Sequence, residues 1–161
     1  MTTKTDFTAE EWEQLLEAPM SIAMYIAVAS PSIFGSIKEA VSVAKNIAKK
    51  TKEGATELLS FLLADYQDKE SAKLAQPEFE SKDPASIKQE VLDELGAVVA
   101  LLDEKATAEE ASEIKSWLYQ VGVDAANASK EGGFLGIGAV RVSDEEKAAL
   151  VEIAGALGVE A

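Results

Sequence analysis

Apolar positions recur along this chain at three- and four-residue intervals, and no stretch reads as a convincing strand. The pattern predicts an all-α, single-domain bundle of six to seven helices over residues 1–161. Thr8-Ala9-Glu10-Glu11 sets a hydroxyl three residues before a glutamate, with Phe7 placed to staple onto Trp12, so a first helix starts there. Pro19, with its φ preset for a first turn, is expected to open a second helix running through Tyr25 to Ala29. After Ser30-Pro31-Ser32, an apolar row of Ile37, Val41, Ala44 and Ala48 predicts a third helix, with Lys38, Ser42, Lys45 and Lys49 on another face. Gly54 interrupts, and Leu58, Leu59, Leu62 and Tyr66 mark a fourth.

Residues 67–83 are polar and without period, and read as the longest linker. Beyond it, Asp83 caps Pro84, and Ile87, Val91, Leu95, Val98 and Leu102 form one stripe. Thr107-Ala108-Glu109-Glu110 and Ser143-Asp144-Glu145-Glu146 are two more capping boxes. The first opens a helix with Ile114, Leu118, Val121, Ala125 and Ala128 inward, the second a last helix with Leu150, Ile153 and Leu157 inward, ended by Gly158. Two phrases, at 27–35 and 126–136, share a small-residue helix end, a Ser, a break and an apolar pair before Gly. They suggest an internal repeat, with halves at 8–66 and 84–158.

Composition narrows the chemistry. There is no Cys and no His, which excludes disulfides, thiol and Ser-His-Asp catalysis, and His- or Cys-ligated metals. Lys and Arg total 15 against 29 Asp and Glu, a net charge of -14, and Arg141 is the only arginine. A phosphate backbone would be repelled, so no nucleic-acid partner is expected. The first residues lack an apolar signal core, and a cytoplasmic location is expected. Residues 18–37 are uncharged, but Ser30-Pro31-Ser32 interrupts them, and a buried helix followed by a turn is the preferred reading over a membrane span.

Four constellations carry candidate chemistry. The loop 132–138, Gly-Gly-Phe-Leu-Gly-Ile-Gly, lacks the strand and the Lys-Ser/Thr pair of a phosphate loop, and its following helix opens with three acids. Its Phe134, Leu135 and Ile137 are expected to plug the bundle or meet a partner. Glu90, Asp93, Glu110 and Glu113 form two carboxylate pairs spaced by three on consecutive helices; converging, they would make an oxygen site for magnesium or calcium and a metal-dependent hydrolase. No cofactor is expected otherwise. Lys38, Lys45, Lys49, Lys50 and Lys52 form a basic strip that is either a solvated face or a patch for an acidic partner or anionic lipid. Trp12 and Trp117 are helix-packing anchors, with a partner interface as the lesser option.

The Ala-x-Ala-Ser phrase, a loop, Val142-Ser143-Asp144-Glu145-Glu146 and an Ala/Leu-rich helix resemble the motif of TerB-like tellurite-resistance domains, over about residues 14–50 and 114–158. That likeness implies a helical domain of two related halves, with Glu146 as the motif's helix glutamate and Glu39 as its counterpart. The family's Asp-Gly pair is replaced here by Ser30-Pro31 and Ser129-Lys130, and residues 132–140 stand as an insertion. Together these features point to a non-enzymatic interaction or scaffolding module, stress-associated as the resemblance implies, with a protein partner or self-association. A divalent-metal-dependent hydrolase and a peripheral membrane protein are the alternatives.

Overall fold

A computed structural model describes residues 1–29, 35–130 and 142–161, the side chains of 35–39 and 129–130 excepted. Among the described residues it has seven α-helices and no strand. They are α1 (Ala9–Ala29), α2 (Gly35–Glu53), α3 (Glu57–Asp65), α4 (Lys69–Leu74), α5 (Pro84–Lys105), α6 (Ala108–Lys130) and α7 (Asp144–Leu157), and a short 3-10 turn, Lys4–Asp6, precedes them. The loop residues Phe134, Leu135 and Ile137 lie outside the described residues, as do Ser30 and Pro31, so the comparison of the two Ala-Ser phrases falls there too.

All three capping boxes close. The Thr8 amide donates to Glu11 at 2.7 Å and the Glu11 amide to Thr8 Oγ1 at 3.2 Å. The Thr107–Glu110 and Ser143–Glu146 pairs repeat this reciprocity. Asp83 caps α5 through the Ser86 amide, and Gly158, at φ 69°, ends α7 with the Val159 amide on the Ala154 carbonyl, a left-handed close that glycine adopts without Cβ strain.

Helix α1 is the axis of the bundle and packs against α2, α4, α5, α6 and α7. Leu15, Leu16, Ala18, Ile22, Ala23, Tyr25 and Ile26 are all buried, and the second half of the helix accordingly lacks a polar face. Among the described residues no helix is long and apolar enough to cross a membrane. Burying each large aliphatic side chain contributes roughly 1.5–3 kcal/mol, and Leu15, Leu16, Ile22 and Ile26 of α1 are all covered. Gly122 lets α6 approach closely: a Cβ there would meet Ile22 Cγ2 at 3.2 Å and Leu150 Cδ2 at 3.3 Å.

Three expectations need correction. Pro19 does not open a second helix; it sits inside a continuous α1. A proline there has no N–H for the Leu15 carbonyl and crowds it. The buried Tyr66 hydroxyl meets this gap, donating to the Leu16 carbonyl at 2.8 Å and lying 3.4 Å from that of Leu15. Next, the linker 67–83 is not wholly irregular: Asp68 caps α4 by accepting from the Ser71 amide at 2.9 Å, and Ala75 is buried. Finally, α2 does not bury the row through Val41, Ala44 and Ala48. Ser42, Val43 and Asn46 face inward instead, while Val41 is 48% exposed and Ala44 and Ala48 are exposed.

The Tyr66–Pro19 relation is testable. Tyr66→Phe is expected to cost about 1–2 kcal/mol, read as a lower urea midpoint at unchanged m. Pro19→Ala restores the missing N–H, so in that background the same Tyr66→Phe change should cost at least ~0.5 kcal/mol less. Equal costs in both backgrounds would mean that the hydroxyl does not serve the proline site.

Candidate functional site

The sequence-derived carboxylates have separate duties. Glu90 is on α5 and accepts from the Glu80 amide at 3.0 Å; Asp93, on the same helix, accepts from Gln89 at 2.9 Å. Glu110 is buried and takes hydrogen bonds from the Thr2 amide (3.2 Å), Thr2 Oγ1 (2.7 Å), the Thr107 amide (3.0 Å) and Thr107 Oγ1 (2.8 Å). Burial alone would raise its pKa, but these donors outweigh it and hold the carboxyl near 2. Glu113 accepts from Lys50 at 3.0 Å and from the Thr56 amide at 2.8 Å, and again the donors outweigh burial and lower its pKa. Among the described residues, no group of three or more His, Cys, Asp or Glu side chains could hold a metal ion.

Both tryptophans are core anchors, 4% and 5% exposed. Trp12 Nε1 donates to Asp65 at 2.7 Å and its ring tilts against Phe7 at 5.6 Å, the staple read from the sequence. Trp117 Nε1 donates to Asn46 Oδ1 at 2.8 Å, and Asn46 donates in turn to Asp124 at 2.5 Å. With both indole N–H groups engaged inside the fold, neither ring is offered to a partner. Glu146 is 3% exposed and closes the α7 cap.

A carboxylate that sequence reasoning passed over is Glu94. It accepts Ser21 Oγ at 3.0 and 2.8 Å on its two oxygens, between α1 and α5. Burial raises its pKa to about 7, against the lowering effect of Ser21 and with Glu17 adding repulsion. Glu17 is itself raised, by burial and by Glu13 and Glu78. The signal was present in the sequence, because Glu94 falls three residues after Val91 and four before Val98, within the buried stripe of α5.

An apolar trough of about 510 Å³ lies between α1, α2 and α4. Its α2 wall carries Ala40, Val43, Ala44, Ile47, Ala48 and Thr51, running almost the full described length of that face. Met20 forms the floor from α1, Tyr66 and Gln67 follow α3, and Ala72, Ala75 and Gln76 close the α4 side. The trough exists because methyl groups stand where longer side chains would span two helices, whose axes ordinarily pack 8–10 Å apart. What turns this face outward is the opposite face of α2, held to α6 by Asn46–Trp117, Asn46–Asp124 and Lys50–Glu113.

The polar atoms in the trough are largely engaged. The Thr51 hydroxyl donates to the Ile47 carbonyl at 2.8 Å, and the Tyr66 hydroxyl is turned into α1. Lys52 stands at the rim, and Lys49 and Lys45 precede it on α2 at spacings of three and four, on the adjacent outward side of the helix. Lys49 pairs with Glu53 at 3.7 Å, while Lys45 and Lys52 make no ion pair among the described residues. The arrangement offers non-directional apolar contact with a cationic edge, and no reacting group.

Two titrations follow. Glu94 ordinarily ionises near 4.5 and near 7 in the fold, so the native state holds an extra proton between those values. Its contribution is full below about pH 4.5 and lost as pH rises through 7. Glu94→Gln should therefore stabilise by about 1–2 kcal/mol near pH 8 and change little near pH 4, and equal effects at both would refute the assignment. Glu110 has the opposite sign: its contribution is present above about 4.5 and is lost as pH falls through about 2. Glu110→Gln should lower the melting temperature at neutral pH, with the gap from wild type closing as the pH falls through that window. Comparison of the chain with protein-family models, curated proteins and solved structures finds no match.

Proposed function

We propose that this protein is a non-catalytic interaction module whose working surface is the α1–α2–α4 trough. One observation carries the reading: among the described residues, Ala44, Ala48 and Thr51 of the trough's α2 wall are exposed on a helix whose other face is docked to α6. A helix needing only to be solvated would present polar residues there. Ala44 and Ala48 in the trough, and Val41 outside its lining, forgo burial instead, and contiguous exposed apolar surface marks binding sites. The stress association implied by the TerB-like likeness belongs to this proposal and rests on the sequence motifs alone.

Ala44→Glu tests the reading because Ala44 is exposed and helical, so the melting temperature should stay within about 2 °C of wild type. Wild type is expected to bind the neutral apolar fluorophore N-phenyl-1-naphthylamine saturably and with one-to-one stoichiometry. Ala44→Glu should abolish that binding. Absence of binding to wild type, or equal binding by the variant, would overturn the proposal.

A further inference from the structure

We infer that the occupant of the trough is an acidic amphipathic helix of a partner protein, docked along α2 with its apolar face on the alanine row and its carboxylates on Lys45, Lys49 and Lys52. This rests on the binding-module reading above and adds the chemistry of the partner.

The first support is shape. The α2 wall runs from Ala40 to Thr51, about 17 Å at 1.5 Å per residue, and is open along its length because Ala44, Ala48 and Thr51 are exposed. A three-turn helix matches that span, whereas a small ligand is ordinarily enclosed and oriented by a few convergent polar groups. Here the Thr51 and Tyr66 hydroxyls already donate to backbone carbonyls. Alanine methyls also let a second helix approach closely, with side chains at i, i+3, i+4 and i+7 filling the floor between Met20, Val43 and Ile47.

The second support is charge. Helix α2 carries five lysines and two glutamates in a chain of net charge -14. On a helical wheel of about 100° per residue Lys52 and Lys45 fall within about 60° of Ala48 and Lys49 about 100° from it, while Lys50 points the other way, to Glu113 on α6. The basic row therefore starts at the trough's rim with Lys52 and runs along the outward side of α2. At physiological salt the Debye length is about 8 Å, so acids seated on this edge feel these lysines more than the protein's distant carboxylates. An anionic membrane fits less well: it is broad and flat, the trough is concave, and an extended negative surface meets the whole molecule's negative charge.

The experiment is selection of a displayed library of helical peptides, about 16 residues long, with apolar residues fixed at i, i+3, i+4 and i+7 and all other positions random. Enriched peptides are expected to carry Asp and Glu along one flank and to lose binding to Ala44→Glu. They should bind the triple variant Lys45→Glu, Lys49→Glu, Lys52→Glu roughly tenfold more weakly, the sum of three rim ion pairs. Peptides that need Ala44 but are neutral or basic, or that ignore the lysine reversal, would overturn this inference and leave the trough reading standing. No enrichment would overturn it too, as would Ala44-dependent dimers in sedimentation or lysine-dependent retention on phosphatidylcholine–phosphatidylserine vesicles. Loss of the fluorophore result would remove both readings together.

Discussion

The architecture depends on burying the second half of α1, which has no polar side to show. From Ala18 to Ala29, α1 carries no charge, and its side chains are covered by neighbours on nearly every side. That requirement explains why α2, α4, α5, α6 and α7 all touch it. It also raises a backbone problem, because Pro19 leaves a carbonyl without its helical donor in a place water does not reach. Tyr66, just beyond α3, brings its hydroxyl to that point, and its ring packs on Trp117 at 6.3 Å. Burial of that hydroxyl pushes its pKa well above the ordinary phenol value, which keeps it a donor. The α3–α4 region is thus tied to α1 by a residue whose hydroxyl sits beside the proline gap.

Helix α2 reconciles two surfaces of different chemistry. Toward α6 it uses directional bonds: Trp117 to Asn46, Asn46 to Asp124, and Lys50 to Glu113. Such bonds are costly to break when buried, so they set the helix's rotation more firmly than the weak apolar preference of alanine does. The alanine row is consequently turned toward α4, which at six residues is too short to cover it. The trough results from this competition between a polar network and an apolar stripe.

The acidity of the chain has a similar division. Glu11, Glu110 and Glu146 close helix N-termini, where the backbone presents unpaired N–H groups and a partial positive charge. Glu110 also ties Thr2 to α6, and Lys105 reaches Glu11 at 2.6 Å and the Asp6 carbonyl at 3.1 Å, so the first residues are bound to the α5–α6 corner. Glu94 is the exception, a carboxylate drawn into the apolar stripe and held by one serine.

The chain's own pattern determined the helical class, the three capping boxes, the Asp83 cap, the stripe of α5 and the Gly158 close, because each is local: its partners lie within four residues. The Asp68-to-Ser71 spacing that starts α4 was equally local and readable. Glu94's intrusion into the Val91–Val98 stripe was readable too. Only the tertiary structure decided the rest. Pro19 stays inside a helix with a hydroxyl from residue 66 beside it, and α2 is turned so that Asn46 meets Trp117 and Asp124. The carboxylates at 90, 93, 110 and 113 found different partners on different elements. Periodicity states which residues share a face of one helix; which neighbour that face meets is settled by long-range packing and by where buried donors find acceptors.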